Sequence, residues 1–361
     1  MFTTSYFLIF LIVIMIIFFC VRREWRVSVL ALASLFFVFY LDAYAGTVLV
    51  VSSVCTYIGG RGIRWLQKCD RHKQARRLMI VLVSLDIAMI IIYKFGIDFL
   101  ERMGAWVPKN AEVVKYLMIP LGLSFYTFQA ISYLVDIYKK KYSAEESLAE
   151  FMLYMSYFPK FVSGPIERVN DFVSQLESIK EINFIQSGRL SVAFTYMLYG
   201  YFMKLVVADR VAVTANRIFE YPQGYDSFWL LLGIVLYTIQ IYADFAGYSY
   251  IAVGVSKVFG IDIQVNFRNP YFSYDITEFW RKWHISLSSW LRDYLYIPLG
   301  GNRQGKIRKN INTIIVFIVC GLWHGTGIPF LIWGLLHGIY SVSQNVFLSH
   351  RKRQLADVFL L

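Results

Sequence analysis

Long apolar runs separated by short polar connectors make up most of the chain. A helix that crosses a membrane needs about 20 mainly apolar residues, and the chain contains ten candidate runs, several of which are shorter than this. They cover residues 5–21, 27–41, 47–60, 78–95, 113–134, 147–162, 185–208, 227–259, 311–322 and 329–347. A transmembrane barrel would instead show alternating stretches of about ten residues. The pattern therefore predicts an all-α polytopic membrane protein with about nine to eleven spans, plus re-entrant or interfacial helices.

Basic residues mark alternate connectors. Arg22, Arg23 and Arg26 follow the first run, residues 61–77 contain seven basic side chains, and residues 139–141 are three lysines. The positive-inside rule makes these connectors cytoplasmic, so the N-terminus is expected outside. A signal peptide carries its positive charge before the apolar core, whereas here the charge follows it. The first run is therefore interpreted as a retained span.

Composition narrows the class of protein further. The chain has 17% charged and 57% hydrophobic residues and a mean hydropathy of +0.51, whereas soluble proteins average about 25% charged residues. A net charge of +12 would suit a protein that binds nucleic acid. The basic residues lie in connectors between apolar runs, however, and this placement favours membrane anchoring instead. None of the four cysteines forms a CxxC pair, so no disulfide framework or zinc site is implied. We expect one membrane domain, 1–361, and no nucleic-acid partner.

Three stretches interrupt the apolar pattern with charge, proline, glycine and histidine. Irregular or polar backbone at membrane depth is tolerated only where protein or a water-filled cavity surrounds it. We therefore expect the three stretches to line an internal cavity. They are residues 157–172, 266–303 and 320–338.

His324 lies in GLWHGTG, directly after an apolar run. An ionisable side chain inside a span is costly and usually functional, although a packed histidine bonded to the backbone explains the position equally well. Gly321, Gly325 and Gly327 favour function, because they remove side-chain bulk from around the imidazole. A neutral imidazole suits a general base near neutral pH, and an alcohol that attacks a thioester needs such a base.

His284 lies in RKWHISLSSW, which is interpreted as a helix. On a continuous helix, Trp280 and His284 share one face, and Arg281, Ser288 and Arg292 lie beside it. Such mixed faces indicate a helix at an interface or along a cavity wall. The alternative is an interfacial helix anchored by tryptophan and arginine, without a role in chemistry.

Two acidic positions need partners. Asp244 lies in an apolar and aromatic run, and Arg281, Lys282 or Arg292 are candidate partners for its carboxylate. Glu167 follows SGP and is either a residue at the mouth of the cavity or one half of a surface pair with Arg168.

Four motifs together resemble the membrane-bound O-acyltransferase (MBOAT) family, in particular its bacterial branch with the alginate O-acetyltransferase membrane subunit. They are FPKFVSGPIER, YADFAGYSYIAVGVSKVFGI, NFRNPYFSYDITEFWRKWHISLSSWLRDYLYIPLGGNR and CGLWHGTGIPFLIWGLLHG. The resemblance implies a ring of helices around a central tunnel and a catalytic core over residues 158–338. It also implies that His324 and His284 are the catalytic residues.

The resemblance implies a membrane O-acetyltransferase in the bacterial plasma (inner) membrane. Acetyl-CoA would be the cytoplasmic donor, with no metal, and the acceptor a hydroxyl of an extracytoplasmic polysaccharide or of a secreted SGNH-hydrolase-like partner. The acyl group would be other than amino-acyl. The residues expected to bind substrate or donor are Asp244, Trp280, Arg281, Ser288, Arg292, Asn302, Arg303 and Trp323.

Two other functions remain open. D-alanyl transfer to teichoic acid uses a related machinery, and a polytopic transporter or flippase would also use broken helices and a buried acid. Relatives usually continue with further spans after the HG segment, so the sequence is expected to be either a short member of the family or a C-terminally shortened form.

Overall fold

A computed structural model describes residues 2–102, 119–142, 146–183 and 187–358, and these ranges contain helices and no strand. The chain divides into two compact units. The first combines Met1–Ile90 with Ile119–Val265, and the second combines Ile91–Met118 with Asn266–Leu361. The starts of the predicted runs 113–134 and 185–208 lie outside the described residues. The single membrane domain expected from the sequence stays a prediction.

The first unit contains most of the long apolar helices. Its helices are α1 Ser5–Cys20, α2 Arg26–Leu41, α3 Ala43–Lys68, the first part of α4 His72–Arg102, α5 Leu123–Tyr138, α6 Leu148–Ser156, α7 Val169–Val173, α8 Ser187–Tyr201, α9 Asp209–Glu220 and α10 Ser227–Val258. A π-helical segment, Phe202–Ala208, joins α8 to α9.

The second unit contains the end of α4 and the motif-rich C-terminal part of the chain. Its other helices are α11 Ile276–Lys282, α12 Ile285–Leu291, α13 Gly305–His324 and α14 Ile328–Val358. The π-helical segment Arg292–Tyr296 follows α12.

Polar side chains start several of these helices by accepting backbone N–H groups of the first turn. Asp42 accepts from Tyr44 and Ala45 at the start of α3, and Asp226 accepts from Trp229 at the start of α10. Asp275 does the same for α11. The first turn of a helix has N–H groups without intrahelical partners, so each cap fixes where an apolar run becomes helical.

Five helical segments are long and apolar enough to cross a membrane, and α1 is a shorter apolar helix. The five are Arg23–Leu41, Ala43–Lys68, His72–Gly96, Gly188–Glu220 and Ser227–Val258. The all-α polytopic prediction is confirmed. The described residues account for five of the nine to eleven spans expected.

The predicted span 147–162 is wrong. Helix α6 is nine residues long, and turns follow it to Gly164. Pro159 lacks the N–H that would continue the helical ladder, which explains the early end. The turn segment is anchored through Phe158, whose N–H donates to Ser34 Oγ at 3.2 Å and whose ring packs at 5.2 Å from that of Phe10.

The run 227–259 forms one continuous helix, α10, which passes through YADFAGYS. Asp244, in the middle of this stretch, is paired with Lys204 at 2.5 Å, so its charge does not require the helix to unwind. The partners suggested by the sequence, Arg281, Lys282 and Arg292, are therefore wrong. Lys204 also pairs with Asp209 at 2.8 Å, and the three charges lie beside the π-helical turn.

Glycines bring α8 and α10 into close contact. A Cβ on Gly247 would meet the carbonyl oxygen of Gly200 at 2.9 Å, and one on Gly254 would meet the carbonyl oxygen of Ala193 at 2.7 Å. Small residues at helix interfaces allow the backbones to approach, and in lipid such packing is a main source of helix association.

The basic stretch 61–77 is mostly helical and not a connector. Helix α3 continues to Lys68, α4 begins at His72, and only residues 69–71 lie between them. Arg61, Arg64 and Lys68 therefore lie on the last turns of α3. Their spacing of three and four residues places them on neighbouring parts of one helical surface.

Gly254→Ala is expected to destabilise the protein by about 1–3 kcal/mol, the usual cost of forcing atoms into a packed interface. The new methyl group would lie 2.8 Å from the backbone nitrogen of Met197. Thermal unfolding in detergent measures the effect. The matched control is Gly188→Ala, because a Cβ there meets nothing within 4 Å. Equal melting temperatures for the two variants would contradict the packing role.

Candidate active site

The predicted helix through Trp280, His284 and Ser288 is broken at His284. Helix α11 ends at Lys282, and α12 begins at Ile285. The break arises because His284 has φ +43° and ψ +55°, a left-handed conformation that a continuous right-handed helix cannot contain. The prediction that Trp280 and His284 share one face of a continuous helix is therefore wrong.

Asn266 holds this break in place. Its carbonyl oxygen accepts the N–H of Ile285 at 3.0 Å, and its side-chain Oδ1 accepts the N–H of Ser286 at 3.2 Å. A left-handed residue other than glycine costs about 1–2 kcal/mol, so it persists only where its surroundings impose it. Asn266 is fully buried and supplies two of the contacts that do so.

The imidazole of His284 is buried, with 1% of its surface exposed. Its ring centroid lies 6.0 Å from that of Trp323 and 6.4 Å from that of Phe267. Burial, and secondly the neighbouring His324, lower the pKa of His284 to about 3. The ring is therefore neutral throughout the physiological pH range.

His324 is the last residue of α13, and more of it is exposed than of His284. Partial burial, and secondly the charge of Lys94, lower the pKa of His324 to about 4. Its ring centroid lies 4.8 Å from that of Trp323 and 5.2 Å from that of Trp333, both in edge-on contact. Trp323 therefore contacts both histidines, and the structure brings the two predicted catalytic residues together around one indole. One imidazole is accessible and the other is enclosed.

Lys94, on α4, adds a positive charge to this site. Its ammonium group donates a hydrogen bond to the carbonyl oxygen of Trp323 and lies 5.4 Å from the centre of the Trp323 ring. The last carbonyls of a helix have no intrahelical partner, and a cation there satisfies them and the helix dipole. Lys94 thus fixes the end of α13 beside His324.

The glycines around His324 do not clear space for a ligand, contrary to the sequence-based interpretation. A Cβ on Gly321 would lie 2.3 Å from the carbonyl oxygen of Phe330, and one on Gly325 would lie 2.2 Å from its ring. Both glycines serve the close packing of α13 against α14. Gly327 has φ +123°, so it permits the turn between the two helices.

Trp280 belongs to an aromatic cluster next to this site. Its ring centroid lies 5.0 Å from Phe317, 5.8 Å from Trp333 and 5.1 Å from His337. His337 is also 4.6 Å from Trp333. These contacts make His337 a packed residue, and Trp333 connects the cluster to His324.

The structure also places the other predicted residues of the second unit. Arg281 is exposed, and Arg292 is exposed and pairs with Asp293 at 2.8 Å. The Ser288 hydroxyl donates to the carbonyl oxygen of Trp283 at 3.3 Å, which supports the turn at His284. Asn302 and Arg303 are exposed.

Asn312 fixes the loop that carries Asn302 and Arg303. This buried side chain donates from Nδ2 to the carbonyl oxygens of Leu299 and Gly301, at 3.2 and 3.0 Å. Two hydrogen bonds from one helix thus define the position of a polar loop that would otherwise depend on solvent.

In the first unit, Asp244 is paired with Lys204, as described above. Glu167 is not a surface residue, because only 1% of it is exposed. Its Oε1 accepts the N–H of Gln264 at 2.7 Å, and Lys160, equally buried, lies 4.4 Å from the ring of Tyr154. Burial raises the pKa of Glu167 and lowers that of Lys160.

Sequence reasoning missed Lys94 and Asn266 as parts of the site. Lys94 was detectable as a lone cation near the end of an apolar run, and Asn266 lies within one of the quoted motifs. Neither signal in the sequence shows which group the side chain contacts. Among the described residues no group of three or more His, Cys, Asp or Glu side chains could hold a metal ion.

The sequence matches the model of the membrane-bound O-acyltransferase family over residues 142–356. It is 36% identical over 321 residues to a probable alginate O-acetylase AlgI of Pseudomonas putida, covering 88% of this chain and 61% of that protein. It is 31% identical over 350 residues to a peptidoglycan O-acetyltransferase of Helicobacter pylori, covering 90% of this chain and 65% of that protein.

A more distant similarity links the sequence to a teichoic acid D-alanyltransferase of Streptococcus thermophilus, 33% identical over 251 residues, covering 64% of this chain and 58% of that protein. The chain spans about three fifths of the length of these relatives. The family match covers more than half of the chain and contains both histidines of the site. On this evidence the chain belongs to the membrane-bound O-acyltransferase family, as its motifs predicted.

Proposed function

We propose that this chain is an O-acetyltransferase that moves an acetyl group from acetyl-CoA to a hydroxyl. The acceptor is an extracytoplasmic polysaccharide or a secreted SGNH-hydrolase-like partner, and the enzyme lies in the bacterial plasma membrane. The observation that carries the proposal is the pair of imidazoles, one exposed and one buried, in contact with the same indole.

His324 is the general base, because its exposed ring is the one that a hydroxyl can reach. The hydroxyl gives its proton to His324 while its oxygen bonds to the acyl carbon. The carbon–sulfur bond of the thioester then breaks, and the sulfur leaves with the bonding electron pair and takes up a proton. Thioester and alcohol become ester and thiol, so no oxidant or metal is required.

His284 is a positioning residue. Its buried, neutral ring contacts Trp323 and not solvent, so it cannot exchange protons with a substrate in bulk water. Through that indole it orients the surface against which His324 packs. A rigid surrounding of this kind keeps a base within the narrow geometry that proton transfer requires.

The names of the relatives support acetyl as the transferred group and a polysaccharide as the acceptor. Two of them are named as an alginate O-acetylase and a peptidoglycan O-acetyltransferase. Coenzyme A carries phosphates, and Arg303, Lys306 and Arg308 are exposed together near the start of α13, where they would attract such a donor.

D-alanyl transfer is the second candidate, because one relative is named as a teichoic acid D-alanyltransferase. Incubation with labelled acetyl-CoA separates the candidates. An O-acetyltransferase releases free thiol and transfers or slowly hydrolyses the acetyl group, whereas a D-alanyl transferase, or a transporter, leaves the thioester intact.

His324→Gln is expected to reduce acetyl transfer by about 10²–10⁴-fold, the usual contribution of a positioned base. His337→Gln is the matched control, because His337 packs against the same Trp333 and has no proposed role in proton transfer. Initial rates with labelled acetyl-CoA, alongside melting temperatures, measure the difference. Near-normal turnover by a folded His324→Gln protein would exclude this mechanism.

His284→Asn is expected to lower the rate but keep the shape of the pH–rate profile. Asparagine tolerates the left-handed backbone conformation of His284, so the substitution tests the imidazole separately from the helix break. Since His284 stays neutral above about pH 3, the loss of rate on acidification belongs to His324 alone. A shift of the acidic limb in the His284→Asn protein would show that His284 itself exchanges the proton.

Lys94→Met is expected to reduce turnover and the melting temperature together. It removes a charged hydrogen bond to the carbonyl of Trp323, an interaction worth about 1.5–3 kcal/mol. Lys94→Arg keeps the charge and the donors, so it should restore a large part of both quantities. Turnover equal to that of the unmodified protein in Lys94→Met would contradict this role.

A further inference from the structure

The basic stretch at the end of α3 forms a cavity that the proposed acyl transfer does not use. The cavity has a volume of about 440 Å³. It is lined by Ile58, Arg61, Gly62, Arg64, Trp65 and Lys68. Three of these six residues are cationic, and none of the six is acidic.

The residues that line the cavity all belong to one helix, α3. Residues 58, 61, 65 and 68 follow each other at intervals of three and four, so they lie along one face of α3. This face belongs to the last three turns of a candidate span of 26 residues. About 20 residues suffice to cross the hydrocarbon, so the cavity lies at the level where a span leaves it.

Two of the three cationic side chains, those of Arg61 and Arg64, are held in position by their neighbours. Arg64 forms two hydrogen bonds with the carboxylate of Glu146, at 2.8 and 3.3 Å. Arg61 donates to the Tyr57 hydroxyl at 3.2 Å. The wall is therefore organised before any ligand arrives, which reduces the entropy lost on binding.

The rim of the cavity is apolar and faces outward. Ile58 is 63% exposed, and Trp65 is 57% exposed with the guanidinium group of Arg71 at 6.0 Å from its ring. Tryptophan favours the interface between lipid and water, where one end of the ring is apolar and the other is wet. A ligand that suits both the cations and this rim has an anionic head and an apolar tail.

We propose that this cavity binds the phosphate-bearing headgroup of an anionic phospholipid. Arg61 and Lys68 contact the phosphate, the former through its planar fork and the latter as a point charge. Trp65 and Ile58 contact the glycerol backbone and the first methylenes of the acyl chains. The binding is separate from acyl transfer and does not depend on the function proposed above.

Native mass spectrometry of the purified full chain tests the proposal, with phosphatidylglycerol and phosphatidylcholine as probes. The chain is expected to prefer phosphatidylglycerol. The double substitution Arg61→Gln/Lys68→Gln should weaken its binding by about 30-fold, as the loss of two interfacial cations predicts. Arg61→Lys keeps the charge but not the planar fork, so its affinity for phosphatidylglycerol should lie between that of the unmodified chain and that of the double variant.

The matched control is Arg76→Gln/Arg77→Gln. Both arginines are exposed, and neither lines the cavity, so the loss of charge is equal and the cavity is unchanged. An equal loss of lipid binding in this control, or no preference for phosphatidylglycerol in the unmodified chain, would overturn the proposal.

A competition experiment separates a lipid from a soluble phosphate. Inorganic phosphate and free coenzyme A are added to the chain loaded with phosphatidylglycerol. Retention of the lipid supports the headgroup site. Displacement of the lipid by free coenzyme A at low concentration would overturn the lipid assignment and identify a site for a soluble phosphate compound.

Discussion

The contacts of Trp323 are the interaction on which the candidate site depends. Its ring contacts the imidazoles of His284 and His324, and its carbonyl oxygen accepts a hydrogen bond from Lys94. Three separate parts of the second unit meet at this one residue. An indole has only two side-chain torsions, so it can hold two rings in a fixed arrangement at a small cost in conformational entropy.

Two groups of charged side chains in the first unit are paired within that unit. Lys204 joins Asp209 and Asp244, and Glu146 receives Arg64. In lipid an unsatisfied charge is expensive, whereas a bonded pair allows the helix that carries it to continue. This explains why α10 is unbroken although an aspartate occupies its middle.

The sequence predicted the class of fold and the family well, because both depend on local patterns. Apolar length identified α2, α4 and α10 as long helices, since the hydrocarbon thickness requires such lengths. The motifs then identified the family, whereas the catalytic roles of His284 and His324 stay a prediction.

The parts that the sequence could not predict depend on partners that are distant along the chain. Lys94 lies more than two hundred residues from the carbonyl that it binds. The break at His284 depends on Asn266, and the glycines around His324 depend on the backbone of Phe330. A hydrophobic pattern gives the face of a helix but not the group that meets it, so these three features required the tertiary structure.

The two histidines of the candidate site occur where helices begin and end. His324 ends α13, and His284 separates α11 from α12. Backbone N–H and C=O groups at such ends lack intrahelical partners and need polar neighbours in any case. A membrane protein can therefore place an imidazole or a lysine there at less cost than in the middle of a span, because the polar surroundings are already required. Helix ends thus provide polar sites at membrane depth without breaking the long helices that enclose them.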